Sequence, residues 1–202
     1  MKKPFPLDKS NGYEQAAEAF MSARNPRIGP ATVREWSRSL PPGSAVLDLG
    51  CGHGVPISQS LMDEGFAVYG IDASSKLISA FRKRFPLAHA ECSAVEDSQF
   101  FQRKFDSVIA CGLIFLLPVQ AQILVLRKVC RTLIPGGRFL FTAPKEAATW
   151  QDSLTGLNSI SLGAERYTQI LRTEGLEILG QYSDEGDNHY YSAQSSSNNS
   201  AI

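Results

Sequence analysis

The chain has few cysteines, no excess of charge of either sign and no long apolar run, and each lack excludes a class of protein. Among its 202 residues the four cysteines, Cys51, Cys92, Cys111 and Cys130, stand far apart with no C-x-x-C pair. That spacing suits neither a disulfide scaffold nor a zinc site, so they are expected as reduced core or loop residues and no metal is expected. Lys and Arg together number 20, as do Asp and Glu, which leaves no positive field to draw in nucleic acid or an anionic membrane. The start, Met1-Lys2-Lys3-Pro4-Phe5-Pro6, runs into polar sequence instead of the apolar stretch of a signal peptide, and no later run is long enough to span a bilayer. A cytoplasmic location is the expectation.

What is present suits one α/β domain. With 43% hydrophobic residues, 202 residues are enough for a substantial core and leave little room for a second domain. Residues 12–23 are rich in helix formers, and residues 31–40 carry Val33, Trp36 and Leu40 on one helical face before Pro41-Pro42-Gly43 stops them. Ala45-Val46-Leu47-Asp48-Leu49 reads as a buried strand entering the turn Gly50-Cys51-Gly52-His53-Gly54, with a helix over residues 56–64. A second strand, Phe66–Ile71, ends at Asp72, and Ser74 or Ser75 is placed to cap a helix with Leu77, Ile78, Phe81 and Phe85 inward. Further strands are expected at 88–92, 107–111 and 138–143. Pro118 opens a helix striped by Val119, Ile123, Leu126, Cys130 and Leu133.

Alternating strands and helices imply a Rossmann-like, doubly wound, mostly parallel sheet with helices on both faces. After it, residues 144–161 read as a long polar loop, followed by a helix over 161–174. Leu176–Tyr182 and Tyr190–Gln194 then read as an antiparallel hairpin. The domain is expected over 1–195, with residues 1–40 a helical cap or lid, 45–143 the core and 144–195 the substrate side. The serine- and asparagine-rich tail, from Ser195 and in particular 196–202, reads as disordered.

Ligands of such sheets sit at the carboxyl ends of the strands, which makes the first glycine turn the place to look. A dinucleotide fingerprint would place glycines at 50, 52 and 55, but position 55 is Val. The spacing is instead Asp48-x-Gly50-x-Gly52-x-Gly54. A carboxylate there suits a cationic amino-acid ligand better than a diphosphate, although a tight strand-to-helix turn needs glycines too. Asp72, at the second strand's end, is placed to accept hydrogen bonds from ribose hydroxyls, or else to cap the next helix.

These motifs resemble the class I S-adenosylmethionine-dependent methyltransferases. The resemblance spans residues 45–143, where Phe105-Asp106-Ser107-Val108-Ile109 is similar to the family's fourth-strand motif and Leu133-Ile134-Pro135-Gly136-Gly137 to its turn before the fifth strand. It implies a seven-stranded sheet with an antiparallel C-terminal hairpin strand, S-adenosylmethionine as cofactor with S-adenosylhomocysteine as product, and a cofactor site at Asp48, Gly50, Cys51, Gly52, Gly54, Asp72 and Ala73. Cys111 and Gly112 are expected beneath the methionyl portion. The chain departs from the family at the third strand's end, where Cys92-Ser93-Ala94-Val95 replaces the usual acid. Ser93, Ala94 and Val95, or Glu96 a turn later, are the adenine-side candidates. His53 meets the methionine carboxylate or faces solvent, and Tyr13 closes over the cofactor or simply packs its helix.

The resemblance also places the last hairpin beside the acceptor, making Asp184, Glu185, Asn188 and Tyr190 substrate candidates and His189 a candidate base, although a solvated hairpin tip favours the same residues. Trp150 and Asp152 form the second candidate wall. Ala110-Cys111-Gly112-Leu113 lacks the Asn/Asp-Pro-Pro-aromatic motif of enzymes that methylate bases or glutamine, and the Pro-Cys nucleophile of cytosine-carbon methylation. Arg82-Lys83-Arg84 reads as a solvated face. The expected reaction is methyl transfer to an O or N atom of a small molecule by a monomer or homodimer. A binding-only S-adenosylmethionine module and a nicotinamide-dependent oxidoreductase stay as alternatives.

Overall fold

The structure, a computed structural model, describes residues 8–196. Five strands build a parallel sheet: β1 (Ala45–Leu49), β2 (Ala67–Asp72), β3 (His89–Cys92), β4 (Phe105–Ala110) and β5 (Leu133–Thr142). Crossovers run through α3 (Ile57–Asp63), α4 (Ser75–Arg84) and α5 (Val119–Thr132), preceded by α1 (Tyr13–Ala23) and α2 (Pro30–Ser37). A hairpin of β6 (Ala147–Gln151) and β7 (Asn158–Leu162), then α6 (Ala164–Thr173), lead to β8 (Leu176–Ser183) and β9 (His189–Ser195). The sheet order is β3-β2-β1-β4-β5-β9-β8, with β9 antiparallel to both neighbours.

Burial explains why the central strands read so clearly. All five residues of β1 are buried, as expected of a strand covered on both faces. Ser74 caps α4 by accepting the Leu77 N–H at 3.2 Å, and Leu77, Ile78 and Phe81 are buried beneath it. Gly54, at φ 85°, is a packing glycine: a Cβ there would lie 2.5 Å from a ring carbon of Phe85 and 2.8 Å from one of Phe81.

Four expectations need correction. Residues 144–161 are not a loop: the β6–β7 hairpin pairs Ala147 with Leu162 through Gln151 with Asn158. Its buried face carries Ser159 and Ser161, which hid the alternation; the Ser161 hydroxyl donates to the Pro144 carbonyl at 2.7 Å. The helix expected at 161 therefore starts only at Ala164. The stripe of α5 is also rotated. Val119 is exposed, whereas Gln122 is fully buried, donating to the Leu117 and Ile160 carbonyls and accepting from the Tyr167 hydroxyl. A buried amide with every bond satisfied replaces the apolar residue that periodicity expects there. Finally, Ser195 ends β9 and the Ser196 N–H donates to the Gly175 carbonyl, so both are ordered; 197–202 lie outside the described residues.

Candidate functional site

A cavity of about 420 Å3 opens where β1, β2, β4 and β5 reach their carboxyl ends, a size suited to a small ligand. Asp48, Gly50, Cys51 and Gly52 line it from the first turn, Asp72 and Ala73 from the second, Cys111 and Gly112 from the fourth. Gly50, Gly52 and Gly54 all have positive φ, so the turn coils back tightly over the strand end. Asp72 holds that turn in place: one carboxylate oxygen accepts the Gly52 N–H at 2.9 Å and the other the Ser74 N–H at 2.8 Å. The ribose candidate is thus also the fastener of the glycine turn, while the helix cap falls to Ser74.

The floor is electrostatically demanding. Asp48 is 2% exposed and accepts a hydrogen bond from the Ser58 hydroxyl. Burial pushes its carboxyl up to about 7, against the opposing Ser58 bond, with the charge of Asp72 adding to the rise. Burial likewise raises Asp72, against the Ser74 and Gly52 N–H groups. Two carboxyl groups so placed favour a cationic ligand. Burial raises the Cys51 and Cys111 thiols as well, which makes both poor nucleophiles.

The N-terminal segment closes the cavity. Tyr13 and Phe20 of α1 line it with their rings 5.3 Å apart, and the Tyr13 hydroxyl donates to Asp152 at 3.2 Å. Glu14 fastens the other side of α1, accepting from the Ser74 and Ser75 hydroxyls at 2.6 and 2.8 Å. Arg24, just past α1, also lines the cavity; sequence reasoning missed it because a lone Arg after a helix carries no motif. Missed too was Asn11, a positive-φ residue before α1 whose buried Nδ2 has no hydrogen-bond partner among the described residues. Glu96 lines the cavity with a buried Oε2 that has no partner among the described residues, its other oxygen lying 3.8 Å from the Lys9 ammonium. Val95 lies beside it, but Ser93 and Ala94 do not line the cavity.

Several other candidates are placed elsewhere. His53 neither faces solvent nor lines the cavity: it is 6% exposed and packs edge-on against Phe20. Trp150 stands behind the wall, packed on Phe115, which does line it. Asp152 lines the cavity and organises the β6–β7 turn by accepting the Leu154 and Thr155 N–H groups. In the last hairpin only Asn188 and Tyr190 line the cavity, while Glu185 is exposed and Asp184 sits behind Tyr190. His189 does not reach it either. Its Nε2 lies 2.9 Å from Gln181 Oε1, because strand alternation sends neighbouring residues to opposite faces and Tyr190 takes the cavity side. Arg82, Lys83 and Arg84 are exposed on the last turn of α4. Among the described residues there is no metal-ligating cluster and no helix long and apolar enough to cross a membrane.

Comparison with known proteins points to one family. The family model described as a methyltransferase domain matches residues 46–137. The cypemycin N-terminal methyltransferase of a Streptomyces species is 30% identical over 191 residues, covering 89% of this chain and 76% of that protein. The ubiquinone biosynthesis O-methyltransferase of Chromobacterium violaceum is 27% identical over 156 residues, 71% of this chain and 65% of its own. Relatives from Bacillus subtilis and Synechocystis are matched over 53% and 52% of their length, so the chain spans about half of those proteins. Among solved structures, the CcbJ methyltransferase of Streptomyces caelestis superposes with a TM-score of 0.75 at 16% identity, covering 94% of this chain and 100% of that one. The fold, the ordered motifs and these relatives lead to one assignment: the chain belongs to the class I S-adenosylmethionine-dependent methyltransferase family.

Proposed function

We propose that the cavity binds S-adenosylmethionine and that the chain moves its methyl group to a nitrogen or oxygen atom of a small molecule. The observation that carries this reading is the cavity's inventory of polar groups. Buried Asp48 faces the space with a carboxyl that a cationic amino-acid end would relieve. Arg24, which has no ion pair with the described residues, suits a carboxylate, and Asp72 keeps lone pairs for a ribose diol. Among the described residues Asn11 Nδ2 and Glu96 Oε2 are an unmatched donor and an unmatched acceptor. Adenine presents a ring nitrogen and an amino group, which would satisfy both. Residue by residue, the groups present fit the cofactor.

When bound, S-adenosylmethionine supplies an activated methyl group for in-line displacement. The protein's part is to align the acceptor and exclude water. Phe20, Phe115 and the α1 segment are suited to exclusion, and Asn188 and Tyr190 to the acceptor side. The relatives' names speak of O- and N-terminal transfer, which supports an oxygen or nitrogen acceptor here. A reduced nicotinamide dinucleotide suits the site poorly, since its diphosphate would meet two buried carboxyl groups and Val55 where the third glycine belongs. Calorimetric titration with S-adenosylmethionine, S-adenosylhomocysteine and reduced nicotinamide dinucleotide tests the reading. Saturable binding of the first two alone is expected; binding of the dinucleotide alone would overturn it.

A further inference from the structure

We infer that the Tyr190 hydroxyl oxygen receives a hydrogen bond from the reacting atom of the acceptor, so that the acceptor must carry an N–H or O–H at the atom that is methylated. The inference rests on the cofactor reading above and adds to it the residue that meets the acceptor atom and the proton that atom must carry.

Tyr190 pairs with Thr142 of β5, at the carboxyl end of the central sheet, and its side chain is 2% exposed along the cavity wall. The following residue, Tyr191, points the other way and stacks on Phe141 at 4.7 Å, which fixes the orientation of the strand. The Tyr190 hydroxyl donates to Asp184 Oδ2 at 2.9 Å. Asp184, itself only 9% exposed, accepts the N–H groups of Gly186 and Asn188 and both its oxygens lie 3.0 Å from Asn188 Nδ2. Every one of these partners is a donor. Burial alone would raise this carboxyl, but the Asn188, Gly186 and Tyr190 bonds bring it below the ordinary carboxylate range.

An ionised carboxylate surrounded by donors can only accept, so the single proton of Tyr190 is committed to it. What remains to the hydroxyl is lone pairs. On one side the oxygen is closed off by the backbone before α2, where a Cβ on Gly29 would lie 3.0 Å from it. On the cavity side it meets the Cys111 thiol, a weak donor that a stronger N–H or O–H of the acceptor would displace, next to the methionyl region of the proposed cofactor site. A group meeting Tyr190 from the cavity must therefore be a donor. An amine or hydroxyl fulfils this, and its lone pair is then free to face the methyl group. A carbon nucleophile has no such donor, and a thiol only a weak one. Asp184 acts through Tyr190 as a positioning residue.

Sinefungin and S-adenosylhomocysteine test this without the natural acceptor. Sinefungin places an amine-bearing carbon where S-adenosylmethionine has its methyl-bearing sulfur, which puts an N–H donor in the transfer region. The unaltered protein should bind sinefungin more tightly than S-adenosylhomocysteine. Tyr190→Phe should lower sinefungin affinity about 10- to 100-fold, the usual effect of losing a hydrogen bond to a charged group, with S-adenosylhomocysteine affinity held within about twofold. An unchanged preference, or an equal loss for both ligands, would overturn the assignment, the second because Tyr190 would then serve the fold. Failure of the unaltered protein to bind either ligand would instead sink the cofactor reading on which this rests.

Discussion

Binding of a cationic ligand against Asp48 should release a proton, and the amount follows from the structure. Burial raises the Asp48 carboxyl from the ordinary 3.8 up to about 7. A group with that value is about nine-tenths protonated at pH 6, about half protonated at pH 7 and almost fully ionised at pH 9. An ammonium and a sulfonium placed nearby favour the ionised form. Binding of S-adenosylmethionine should then release about 0.9 proton at pH 6, about 0.5 at pH 7 and almost none at pH 9, and affinity should fall up to about tenfold per unit below pH 7. Calorimetry at each pH in buffers of different ionisation enthalpy reads the proton number directly. Asp48→Asn removes the titrating group and should remove the buffer dependence. Heats at pH 6 that are the same in every buffer, or an Asp48→Asn protein that releases as many protons as the unaltered one, would refute the reasoning. The same shift fixes the sign for stability. The folded value lies above the unfolded one, so the neutral carboxyl's contribution is complete below about pH 4 and is lost as pH rises through about 7. Over that window Asp48 should make the unliganded protein melt lower at pH 8 than at pH 6, relative to Asp48→Asn.

Three further outcomes are expected. Gly54→Ala should destabilise the fold by about 1–3 kcal/mol in urea denaturation, because the added Cβ meets Phe81 and Phe85 and the residue keeps a left-handed backbone; an unchanged midpoint would show that the rings yield freely. Glu96→Ala should weaken S-adenosylmethionine binding by about 1–2 kcal/mol if the buried Oε2 takes the adenine amino group, whereas calorimetry showing unchanged affinity would remove it from the site. His189→Ala should leave cofactor affinity and methyl transfer within about twofold, since its ring bonds Gln181 outside the cavity wall; a selective drop in turnover would restore a role for it.

Much of the fold was legible in the sequence because it is built from local signals. Asp48-x-Gly50-x-Gly52-x-Gly54 begins in the otherwise apolar β1 and runs into the glycine turn, Asp72 ends the second strand, and Ser74 opens α4; each is a short-range pattern with a short-range cause. The β6–β7 hairpin was not legible, since its inward positions are the small polar residues Ser159 and Ser161 where apolar ones normally stand, and only the fold supplies the Pro144 carbonyl that takes the Ser161 hydroxyl. Gln122 misled the α5 stripe for the same reason.

The sequence by itself determined the alternation of strands and helices, the position of the glycine turn and the two acids beside it, because these depend on neighbours a few residues apart. Tertiary structure alone decided which side chains share the cavity. Arg24, Asn11 and Glu96 arrive there from distant segments, and Tyr190 enters where its neighbour His189 is turned away. The choice between those last two rests on strand register, since moving the pairing by one residue would exchange their faces.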